Sequence, residues 1–138
     1  MSDPIADVLA RQRACLESLR EVLEAEHRAL LAADAGALPA LADGKTRLFS
    51  EIEALEARRR DSFGAAAVKA RADWTLVRSL ADDVARANQR NGAMISALVR
   101  STEGALQILR GNAEGVDLYG AHGQGQPGSG PVRLQVSA

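Results

Sequence analysis

Trp74–Arg110, WTLVRSLADDVARANQRNGAMISALVRSTEGALQILR, runs 37 residues without proline and returns an apolar or small side chain every three or four positions. That period predicts one long helix. Its inward line reads Trp74, Val77, Ala81, Val84, Asn88, Asn91, Ile95, Leu98, Thr102, Leu106 and Leu109, with two asparagines and a threonine set among the apolar residues. At 1.5 Å per residue such a helix is about 55 Å long, so part of its face is expected to extend past its neighbours.

Two shorter segments precede it, both with heptad spacing. Pro4 suits a first turn capped by Ser2 or Asp3, and helix one is expected to run to about Ala33. Its seam is Leu9, Gln12, Leu16, Leu19, Leu23, Glu26, Leu30 and Ala33, in alternating steps of three and four. The break AADAGALPA supplies Asp34 as a cap, Gly36 as a joint and Pro39 near a helix start. Helix two follows with Leu38, Leu41, Lys45, Leu48, Ile52, Leu55 and Arg59 on one line, and ends at Arg58, Arg59 and Arg60, cations that suit a helix C-terminus. Two stripes joined by so short a connection predict an antiparallel hairpin.

AAAVKARAD, residues 65–73, has high helix propensity and is expected to be an early start of helix three, capped near Ser62. The fold class expected is all-α: an antiparallel bundle of three long helices (about 4–33, 37–60 and 64–110) with coiled-coil-like packing over residues 1–110. The remainder, 111–138, holds seven of the twelve glycines and two of the four prolines in 28 residues, and Gly111 is expected to close the long helix. Ordering that tail costs more than burying Val116, Leu118, Tyr119, Val132, Leu134 and Val136 returns, so it is expected to stay mobile until a partner orders it.

Composition excludes several classes. With 17 basic against 18 acidic residues the net charge is −1, which gives no field to gather nucleic acid or an anionic membrane. One cysteine, Cys15, rules out an intrachain disulfide framework and suits a reducing cytoplasm. The start MSDPIADVLARQR lacks a basic region followed by an apolar core, and no run is long enough to span a bilayer, so the chain is expected to stay where it is made.

Three apparent chemical motifs fail on inspection. Asp43-Gly44-Lys45-Thr46 resembles the end of a phosphate-binding loop, but Pro39 stands where that loop needs glycine and no strand precedes it. Lys45 is expected instead to lay its stem over the seam with its charge in water. Glu24 and His27 have the Glu-x-x-His spacing of di-metal bundles, yet the second histidine, His122, lies in the tail, so an exposed Glu–His pair is expected and no metal. Asp82-Asp83 point about 100° apart on a helix and make a poor proton-sharing dyad. No catalytic residue and no cofactor are expected, and the chain is not read as an enzyme.

The informative feature is Asn88-Gln-Arg-Asn91-Gly92 in mid-helix, where asparagine and glycine together cost about 2 kcal/mol of helix propensity. Close approach of another helix, amides that fix register, or amides that bond a partner would each compensate. Asn88-x-x-Asn91-Gly92-x-x-Ile95, then Thr102, Leu106, Leu109 and Gly111, then Tyr119-Gly120 and Gly123-Gln124, resembles the FlgN family of flagellar export chaperones. Leu30-Leu31, Asp34, Leu38 and Lys45 in the heptad hairpin are similar to that family's N-terminal half.

The resemblance implies a cytoplasmic chaperone that holds the terminal helices of hook–filament junction (hook-associated) proteins unassembled and delivers them to the flagellar type III export gate for filament assembly. The expected client-binding residues are Asn88, Asn91, Ile95, Leu98, Thr102, Leu106 and Leu109, and Tyr119 with Gly120 is the expected export-gate docking element. A client helix would use the leucines as anchors and Asn88 or Asn91 for register, with the tail 111–138 folding over it as well as docking to the export gate. The client-free chain would have an empty client groove through which two copies can pair in a crystal. The competing reading is a self-associating coiled-coil scaffold without a client.

Overall fold

The computed structural model describes residues 2–114. They form α1 (Pro4–Leu31), a short 3-10 turn (Ala35–Ala37), α2 (Leu38–Phe63) and α3 (Ala72–Glu114), an all-α chain among the described residues. Two compact units divide it, Met1–Asn91 and Gly92–Ala138.

In the first unit, α1, α2 and the opening of α3 bury one hydrocarbon core. Leu9, Leu16, Leu19 and Leu23 come from α1, Val77, Leu80 and Val84 from α3, with Leu48, Phe49 and Ile52 of α2 packed against them. Leu9, Leu16, Leu19 and Leu23 of the α1 seam are therefore inside, Leu19 and Leu23 completely so, whereas Leu30 is half-buried and Ala33, past the helix end, is exposed. Partners along α1 and α2 run in opposite order: Gln12 meets Glu56, Cys15 meets Leu48 and Glu26 meets Lys45. Between α1 and α3 the order is the same, Asp3 with Arg71 and Glu24 with Arg90.

Asp3 caps α1, its carboxylate accepting from the amides of Ile5 and Ala6, with Pro4 in the first turn. The other end closes earlier than the spacing suggests, at Leu31. Ala33 takes a left-handed φ of 54°, its N–H bonds the Leu30 carbonyl and the Asp34 N–H bonds that of Ala29. This is the Schellman arrangement, normally served by glycine. Alanine carries a Cβ penalty there, so Ala33→Gly should raise stability by about 0.5–1 kcal/mol. Urea denaturation checks this, and unchanged or lower stability would show that the penalty is relieved locally.

Helix α2 differs from expectation at both ends. Asp34 makes no side-chain cap; it precedes the 3-10 turn, and α2 starts at Leu38 with Pro39 in its first turn. At the far end α2 runs past the three arginines to Phe63, so only Arg60 lies in its last turn. Gly64 then ends it, at φ 74°.

Residues 64–70 are turns and not the start of a helix, and α3 begins at Ala72. Helix propensity is overridden there because Val68, 1% exposed, is drawn into the core and anchors the connection. Arg71 then pairs with both Asp3 and Asp73, and the Asp73 carboxylate accepts from the Trp74 amide. The carboxyls of Asp3 and Asp73 are held below the usual range, Asp3 chiefly by its cap bond from Ala6 and Asp73 by Arg71. At its C-terminal end α3 continues through Gly111 to Glu114, a glycine that costs about 1 kcal/mol against alanine without ending a helix.

Candidate functional site

The polar residues placed on the seams by their spacing meet in two clusters of the first unit. In one, the Lys45 ammonium donates to both Glu26 carboxylate oxygens at 3.2 and 3.1 Å. Asn91 of α3 donates one amide hydrogen to Glu26 Oε1 at 2.9 Å and another to the Leu23 carbonyl at 2.8 Å, while its oxygen accepts from Arg90 Nε at 3.1 Å. Glu26 and Lys45 are 1% exposed and Asn91 is 0% exposed. Each helix supplies one member: the two charges pair with each other, and the Asn91 amide is completed by the Leu23 carbonyl and by Arg90, as buried polar groups require.

Two expectations are corrected here. Lys45 does not carry its charge to water; the heptad line turns it inward, and Glu26 opposite makes that tolerable. Asn91 is not a surface residue for a client, since its amide is used inside the unit. Asn88 is half-buried.

The second cluster lies farther along α2. Arg59, 5% exposed, pairs through Nε and Nη2 with Glu56, which also accepts from Gln12 Nε2 at 2.9 Å. Its guanidinium carbon stands 4.4 Å from the centre of the Trp74 ring, a cation–π contact that ties α2 to α3. The Arg59 hydrogen bond, supported by Gln12, holds the Glu56 carboxyl below its ordinary range, and Glu56 raises Arg59. Arg59 is thus a core residue, not a helix-end charge.

Other chemical candidates resolve simply. The Cys15 thiol is buried against the Leu48 carbonyl, and burial, followed by the charge of Glu51, pushes it up, so it is held as an unreactive thiol. Glu24 faces Arg90 at 3.5 Å. Among the described residues no group of three or more His, Cys, Asp or Glu side chains is placed to hold a metal ion.

In the second unit α3 presents large apolar side chains to solvent: Leu98 is 47% exposed, Leu106 45% and Leu109 63%. Thr102 lies on the same line, its hydroxyl donating to the Leu98 carbonyl at 2.9 Å, and Ile95 is half-buried. Ile108, 66% exposed, adds apolar surface that the periodic line omits, because it points about 100° away from Leu109. A patch of this kind marks a site of association more often than ordinary surface does. Tyr119 and Gly120 lie outside the described residues.

The model of the family described as FlgN protein matches residues 1–127, nearly the whole chain. The chain belongs to the FlgN family. That family is one of flagellar export chaperones and not of enzymes, and the match spans both the polar seams and the exposed leucines of this FlgN-family chain. Searches of curated proteins and of solved structures return no match. Among the described residues no helix is long and apolar enough to cross a membrane.

Glu26 and Gln12 are seam residues whose partners sequence reasoning missed. A signal was available: Glu26 and Lys45 stand ten and nine residues on either side of Gly36, nearly equidistant from the joint of a hairpin, with opposite charges.

Proposed function

We propose that this FlgN-family chain is a cytoplasmic chaperone for flagellar hook–filament junction proteins, and that the face of α3 carrying Ile95, Leu98, Thr102, Leu106 and Leu109 receives a terminal helix of such a client. The exposed leucines carry the reading: they recur at helical spacing, as a complementary amphipathic helix requires, and they lie within the region matched to the family. Covering that face keeps the client's own assembly surface occupied until export. Tyr119 and Gly120 are assigned to docking at the export gate, a role separate from client binding.

The test is co-purification from the source cell of the full chain, its 111–138 deletion and Tyr119→Ala. The full chain should retain a junction protein, and Tyr119→Ala should retain it equally while its secretion falls. Loss of the client from Tyr119→Ala would overturn the docking assignment. A full chain that captures no flagellar protein and sediments as a concentration-independent dimer would overturn the client reading in favour of a self-associating scaffold.

A further inference from the structure

Hydrocarbon alone does not choose one position of α3 along α1. Leu9, Leu16, Leu19 and Leu23 face Val77, Leu80, Val84 and Ala87, aliphatic on both sides and spaced by threes and fours. Sliding α3 by one turn, about 5.4 Å, again sets aliphatic against aliphatic. The polar positions are not interchangeable in this way. One turn toward either end replaces Asn91 at Glu26 with Ala87 or Ile95, removes a donor from a buried carboxylate, and sets the Asn91 amide against hydrocarbon.

We infer that Glu26, Lys45 and Asn91 form a register lock that fixes the axial position of α3 against α1. The lock stands at Asn91, the last residue of the first unit. It is built from all three helices, so it recognises one mutual arrangement and not merely one pair. It also explains why an asparagine with poor helix propensity sits in mid-helix: both hydrogens and the oxygen of its amide are engaged, which no aliphatic side chain can reproduce. A buried ion pair is weak as a source of stability against an apolar replacement of similar size. Its contribution here is choice of arrangement.

The experiment measures distances in the full chain between nitroxide labels at Arg13→Cys and Gln89→Cys, both exposed positions outside the cluster, in a Cys15→Ala background. With the cluster intact, one distance population is expected. With Glu26→Leu, Lys45→Met and Asn91→Leu combined, helix content and denaturation midpoint should hold or rise while the distribution splits into populations about 5 Å apart. A single unshifted population in that variant would overturn the inference, since core packing or the Arg59–Trp74 contact would then set the register. Failure of the triple variant to fold would overturn it equally, because the cluster would be supporting the bundle and not selecting its arrangement.

Discussion

Replacing Lys45 alone with methionine is expected to lower folding stability by about 3–5 kcal/mol, the usual cost of leaving a buried charge without its partner. Methionine matches the lysine stem, so packing loss contributes little and the effect isolates the charge. Glu26 would keep the Asn91 amide but lose both bonds from the ammonium. Single domains have about 5–15 kcal/mol in total, so the variant sits near the limit of folding at physiological temperature. Pairing Lys45→Met with Glu26→Leu should restore most of the loss, and urea titration of wild type, single and double variants reads both steps. A single variant within about 1 kcal/mol of wild type would mean that Glu26 is relieved by water or by protonation.

Leu106→Asp should weaken binding of a client's terminal helix by about 30-fold or more, the range for removing an anchor near the centre of an interface. Aspartate also brings a charge that the apolar face of the client would bury unpaired. At 45% exposure Leu106 contributes little to the chain's own packing, so the helical signal and melting temperature of the free chain should stay close to wild type. Calorimetric titration with a synthetic client helix gives the first quantity and circular dichroism the second. Collapse of the whole chain would move Leu106 from the client face into the private core.

Much of the first unit was legible because α1 spells its buried face in leucine at fixed steps, and Leu9, Leu16, Leu19 and Leu23 need no tertiary information to be placed. The exposed line Leu98, Leu106 and Leu109 was legible for the same reason, whereas Ile108 was missed because it lies off that line. What escaped depended on pairing. Lys45 on its own reads as a surface residue, and only the carboxylate opposite makes an interior lysine favourable. Val68 sits in a stretch whose alanines favour helix, and its burial, a tertiary effect, decides otherwise. The cap at Ala33 escaped because Gly36 nearby is the residue that usually marks a left-handed turn.

Asn91 is followed by Gly92, the dipeptide whose backbone nitrogen most easily reaches the side-chain amide carbon, expelling ammonia through a cyclic imide that water reopens to an acid. Helical geometry and the hydrogen bonds of the amide hold that reaction off while the chain is folded. A chain left unfolded has no such shelter, and the acid it acquires would face the Glu26 carboxylate on any later attempt to fold. Chemical ageing at position 91 should therefore be faster in urea than in buffer and should leave a product that refolds poorly, which mass spectrometry paired with a refolding yield reads directly. Equal rates in the two solvents would refute the shelter, and the molecule's shelf life would then owe nothing to its fold.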